Sequence, residues 1–138
     1  MDPAELINGA ECVIEAIGFW PSFHDAEVIS FSVSRALPGV NSVTVAKLCV
    51  HYREHEAVGV GTADFEYVCQ KSLLIELILS DIQDLSLTEF NQQNVLESID
   101  LKRSHDLSIL VDIVSIWGVG GTIRCNHVAV GAVTNLLS

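Results

Sequence analysis

The chain has 138 residues, 49% of them apolar, and a formal net charge of −11 from 18 acids against seven Lys plus Arg. That length predicts one domain, residues 1–138, able to bury roughly two thirds of the surface its unfolded chain exposes. The charge excludes phosphate backbones and anionic lipid, which need cationic side chains, and no apolar run reaches the ~20 residues of a membrane span.

Residues 3–17 carry a helical period, with Leu6, Ala10, Val13, Ile14 and Ile17 on one face. Asp2 is placed to cap this helix, Pro3 suits its first position and Glu5 completes a capping-box pattern. Gly18 ends it. One long N-terminal helix is expected. The period then changes to two. Ile29, Phe31 and Val33 alternate with serines, a half-buried strand over 27–35. Residues 37–42 form a turn cluster. Both faces of 43–53 are apolar, which predicts a strand covered on each side. Residues 54–63 read as a loop and 64–70 as a short strand. In 72–79, Leu73, Ile75, Leu77 and Leu79 face one way. Residues 86–94 are compatible with a single helical turn. Strands 96–103 and 107–116 make a pair, and the last strand spans about 120–133.

No strand–helix alternation occurs, so a parallel doubly wound sheet is not expected. The fold class is α+β: one N-terminal helix packed on a mostly antiparallel, curled or layered sheet of six or seven strands. The start Met-Asp-Pro-Ala-Glu is acidic where a secretory signal needs a basic one, which predicts a cytoplasmic protein.

The acids are unevenly placed. Residues 1–34 hold six and no Lys or Arg, and residues 72–101 repeat that pattern with six more, Asp81 and Asp84 among them. Such a surface attracts a basic protein and speeds the encounter; it also serves solubility. The four cysteines, Cys12, Cys49, Cys69 and Cys125, form no Cys-x-x-Cys pair and read as small hydrophobes. His51 and His55 are four apart, a ligand spacing on a helix, yet they fall in a strand pattern, so no metal is expected. No nucleophile elbow, P-loop or dinucleotide glycine pattern occurs, so no cofactor and no catalytic residue is assigned. Gly118-Val119-Gly120-Gly121 reads as a turn between strands.

The densest chemistry lies in Gly18-Phe19-Trp20-Pro21-Ser22-Phe23-His24-Asp25-Ala26-Glu27. One reading is architectural: Trp20 and Phe23 plug the helix-to-sheet junction, Pro21 stiffens the turn, and His24 and Asp25 bond its backbone. The other places Trp20, His24, Asp25 and Glu27 on a partner-binding surface, with Asp81 and Asp84 as further acids. A cryptic enzyme site around His24, Asp25 and Glu27 is a third reading. A self-associating domain, pairing exposed sheet edges into a homo-oligomer, is a fourth.

A helix, this decapeptide and then a strand resembles immunity protein family 50 of bacterial polymorphic toxin systems. Phe90-Asn91-Gln92-Gln93-Asn94-Val95-Leu96 is similar to that family's Phe-Asn-x-Gln-Asn-Val-Leu segment. Gly118 followed by Ile123-Arg124-Cys125 is a weaker likeness. The resemblance implies that the chain binds and neutralises a cognate toxin. It brings no catalytic residues with it, and it marks Trp20, Pro21, Phe23, Phe90, Asn91 and Asn94 as motif positions. Combined with the charge, it gives occlusion as the expected mechanism: an acidic face docks on a basic toxin.

Overall fold

The structure, a computed structural model, describes residues 2–35 and 43–137. The turn cluster expected at 37–42 lies outside the described residues. The N-terminal segment is broken where one long helix was expected. Pro3–Leu6 form a 3-10 turn, Ile7–Asn8 a two-residue strand (β1), and only Ala10–Ile17 an α-helix (α1). Asp2 does cap the first turn, its Oδ1 accepting the Ala4 amide at 3.0 Å. Gly9 makes the break, because its φ of 79° is left-handed and a helix cannot run through it. The gain is non-local: Ile7 and Asn8 pair in parallel with Val128 and Ala129. Leu6, Ala10, Val13 and Ile17 are all buried nonetheless, so the apolar period marked the core face correctly across the break. Gly18 stops α1, its amide donating to the Ile14 carbonyl at 2.7 Å.

Six longer strands follow: β2 (Glu27–Arg35), β3 (Thr44–Val58), β4 (Glu66–Thr88), β5 (Val95–Arg103), β6 (Ile109–Trp117) and β7 (Gly120–Asn135). With β1 they make one seven-stranded mixed sheet in the order β1-β7-β4-β3-β2-β5-β6, and β6 pairs back onto β7. The six long strands therefore form a closed circuit of antiparallel pairs. Closure leaves one face inside. Val28, Leu48, Val50, Ile75, Leu77, Leu96, Ile113 and Ile123 point there, none more than 2% exposed. Each such side chain contributes about 1.5–3 kcal/mol by leaving water. β1 lies along Val128–Ala129 of β7, just past the stretch Gly121–Cys125 that β6 covers, and α1 follows with Val13 and Ile17 buried.

Four strand expectations change. β2 buries only Val28: Ile29 and Val33, expected on the core face, are exposed and Phe31 is half-buried, because a register shift between Val28 and Ser30 interrupts the alternation. β3 buries only Ala46, Leu48, Val50 and Tyr52; Lys47 on its other face is exposed, so it is not covered on both sides. The loop expected at 54–63 is strand as far as Val58, and the turn is confined to 59–65. The strands expected at 64–70 and 72–79 merge into one 23-residue strand that starts at Glu66, passes a register shift opposite Glu54/His55 and has Asp81 at a φ of 55°. No helical turn forms in 86–94. Among the described residues no helix is long and apolar enough to cross a membrane.

Candidate partner-binding site

The decapeptide 18–27 leaves α1 and enters β2, and it forms the seam that closes the sheet. β2 and β5 share a single register pair, Glu27 with Val95. Four backbone hydrogen bonds supplement it: Asp25 to the Leu96 carbonyl at 2.8 Å, Leu96 to Ala26 at 2.8 Å, Val28 to Asn94 at 2.8 Å and Ile99 to Ser22 at 3.1 Å. To make these bonds the chain turns sharply, with φ at 69° for Phe23 and 65° for Asp25. Asp tolerates that region; for Phe it is strained. The Phe23 ring holds the turn in place, being 1% exposed in the core. Trp20 packs edge-on against it, with centroids 5.7 Å apart and planes at 76°. Trp20 is half-buried, and its indole nitrogen has no hydrogen-bond partner among the described residues. Pro21 is buried.

The polar half of the motif turns outward. His24 Nδ1 lies 3.3 Å from Asp25 Oδ2, and its Nε2 lies 3.6 Å from Glu97 Oε2. All three side chains are more than half exposed. Glu27 stands in register between His51 of β3 and Val95 of β5. His51 bonds Ser72 Oγ at 2.8 Å. Burial and the nearby Arg53 guanidinium hold the His51 imidazole below its ordinary value, against the opposing pull of the Glu27 carboxylate.

The second motif is built around Asn94, which is 3% exposed. Its Oδ1 accepts the Asn91 amide at 3.0 Å and the Val119 amide at 2.9 Å, and its Nδ2 donates to the Asn91 carbonyl at 2.8 Å. Phe90, beside it, is 51% exposed. Gly118 completes the packing: its φ is 84°, and a Cβ there would stand 2.5 Å from Asn94 Oδ1.

Asp81 and Asp84 lie elsewhere. Asp81 Oδ2 accepts a hydrogen bond from Asn126 Nδ2, and Asp84 faces Arg124 at 4.0 Å. The β4 residue aligned with His51 and Glu27 is Leu74. Asp81 is seven residues further along, about 20 Å at the usual strand rise. The fold thus brings His24 and Asp25 together with Glu97, sets Glu27 nearby at the start of β2 without joining that cluster, and leaves Asp81 and Asp84 apart.

Sequence reasoning passed over Glu97 and also Trp117. The latter is 63% exposed at the end of β6 and pairs with Val95. The available signal was Ile116-Trp117, two adjacent apolar residues that break the alternation just before a glycine turn.

A groove of about 670 Å³ is lined by Cys12, Glu15, Lys71, Leu73 and Val133, among others. The Lys71 ammonium in it is committed, donating to the Ile17 carbonyl at 2.8 Å and pairing with Glu54 at 3.3 Å. None of His24, Asp25 or Glu27 lines this groove. Burial pushes the Cys125 thiol up to about 11, which leaves it unreactive at neutral pH. His51 and His55 are separated by the β3 register shift, and among the described residues no group of three or more His, Cys, Asp or Glu is set to hold a metal ion.

No curated protein and no solved structure matches the chain. The profile of one family, described as Immunity protein 50, matches residues 9–136. That span takes in the Trp20–Glu27 seam, the Asn94 corner and every strand from β2 to β7, and the chain belongs to the immunity protein 50 family.

Proposed function

We propose that this chain is a cytoplasmic immunity protein that binds a cognate toxin and neutralises it by occlusion, with no catalysis and no cofactor of its own. The observation that carries the reading is family membership over residues 9–136. The net charge of −11 supports a basic contact face on the toxin, because opposite charge speeds encounter and a like-charged partner is repelled. His24, Asp25 and Glu27 supply contact groups on the exposed side of the seam. Asp81 and Asp84, already engaged with Asn126 and Arg124, add to the long-range field rather than to the contact.

A titration distinguishes occlusion from catalysis. A candidate toxin domain, taken from the genes that flank this one, is assayed for its activity while the purified chain is added. Occlusion predicts a linear fall to zero at one equivalent. Full protection by a small fraction of an equivalent would show turnover and overturn the reading, as would no protection at any ratio.

A further inference from the structure

The seam also aligns residues that neither motif contains. Glu27, Val95 and Trp117 are register partners across β2, β5 and β6. Their neighbours Val28 and Leu96 are at most 1% exposed, so the alternation of a strand turns Glu27 and Val95 outward. Trp117 is 63% exposed, Phe90 51% and Ile29 45%. These apolar residues are held near one another by Asn94. Its side chain bonds the Asn91 and Val119 amides, placing the Phe90–Asn91 corner beside the Trp117–Gly118 turn. Its carbonyl accepts the Val28 amide, one residue before Ile29. Scattered exposed apolar residues are ordinary; a contiguous face with a Trp at its centre marks an interaction site.

Charge identifies the occupant. The face is assembled from segments 2–34, 85–101 and 104–123, none of which contains a Lys or Arg. Glu27 borders Val95 on one side, and Glu97 follows it along β5 with Asp25 and His24 alongside. An indole two strands from Glu27 and one strand from Glu97 suits the long side chain of an arginine or lysine, which can lie along the ring and reach the carboxylates. A second copy of this chain would bring the same acids, with Arg53, which lies near His51 beside Glu27, as its one neighbouring cation among the described residues.

We propose that the outward face of the β2–β5–β6 seam, centred on Trp117 and Val95 and rimmed by Glu27 and Glu97, docks a protein partner that presents Arg or Lys to it. The inference rests on the immunity reading and identifies the partner as the toxin. An occluding surface needs a few desolvated anchors inside a polar rim, and this face has both.

The test uses the full chain and the toxin domain that the protection titration identifies, disabled by an active-site substitution, with affinity and rates measured by surface-immobilised binding. Trp117→Ala should weaken binding at least 30-fold with an unchanged melting temperature, since the ring is solvent-facing. Glu27→Lys with Glu97→Lys should lower the on-rate at least tenfold, independently of the Trp variant. Tyr67→Ala removes an aromatic that is 70% exposed at the β3–β4 turn, away from the seam, and should leave affinity within twofold. Binding within threefold of wild type in both seam variants overturns the docking face while immunity stands. So does a large loss in Tyr67→Ala alone, or a Trp117-dependent dimer of this chain that binds toxin no differently from the monomer. Failure of the wild-type chain to bind or protect removes the immunity reading, and the docking face with it.

Discussion

Asn94 and Val119 are joined by one hydrogen bond, 2.9 Å from the Val119 amide to Asn94 Oδ1, and both residues are buried. That bond ties the corner before β5 to the turn before β7. Asn94→Ala strands the Val119 amide in the core and takes the same acceptor from the Asn91 amide. The expected cost is about 2–3 kcal/mol, a fall in Tm of about 10 °C. Calorimetry on the purified variant measures it. A fall of less than 2 °C would show that water replaces the carboxamide.

Phe23 and His24 are neighbours with opposite duties. Phe23→Ala deletes a ring that is 1% exposed and should cost about 3–5 kcal/mol. His24→Ala, on the exposed side, should stay within about 0.5 kcal/mol. Urea unfolding of the two variants gives the comparison. Equal losses would mean that the turn is held by its polar residues rather than by the ring.

His51 makes stability depend on pH. Its imidazole is held below the ordinary value in the folded chain, chiefly by burial. As pH falls, the unfolded chain takes up its proton first, near pH ~6.5. Stability from the neutral imidazole is therefore present above that value and is lost as pH falls through the folded value. His51→Gln keeps a partner for Ser72 and removes the titration. The wild-type Tm should drop more than the variant's between pH 7.5 and 5.5. Parallel curves would assign the acid sensitivity to other groups.

Association with the toxin should slow as salt rises. Exposed charges are screened beyond ~8–10 Å at physiological ionic strength, so the on-rate carries the effect. From low to moderate salt a fall of about tenfold is expected. Asp25→Lys with Glu27→Lys should reduce it further at low salt, and Asp84→Lys less so. Stopped-flow mixing across a salt series reads this directly, and an on-rate indifferent to salt would assign the acidity to solubility alone.

The leucine and isoleucine positions of 72–79 were legible because one face is core and the period of two records it. In β2 alternation found the bounds but not the inward face, since Val28 is buried and Ile29 and Val33 are exposed, with a register shift between Val28 and Ser30. Helical period found the buried positions of 6–17 but not the break at Gly9, which answers to Val128 and Ala129 at the far end of the chain. The arm of β3 past Arg53 leaves no periodic trace, since its residues pair with β4 without burying a face. Ring closure was illegible too, because β2 and β5 meet at one register pair, Glu27 with Val95, and at isolated backbone bonds with no repeating pattern behind them. The outward half of the motif was found from residue type alone. Trp117 was not, because a tryptophan at a strand end looks the same in sequence whether its ring is covered or bare.

The seam between β2 and β5 is also the thinnest join in the ring. β3 and β4 are laddered from Val45–Ser80 to Val58–Glu66, whereas β2 meets β5 at Glu27–Val95 and a handful of backbone bonds. Local opening starts where few bonds must break, so amide exchange in the free protein should be faster along this line than in the β3–β4 ladder. A partner seated on Trp117 and Val95 spans both sides of it. Capture there would also clamp the ring shut, and the bound chain should then resist proteolysis and heat by an amount fixed by the partner's affinity and concentration.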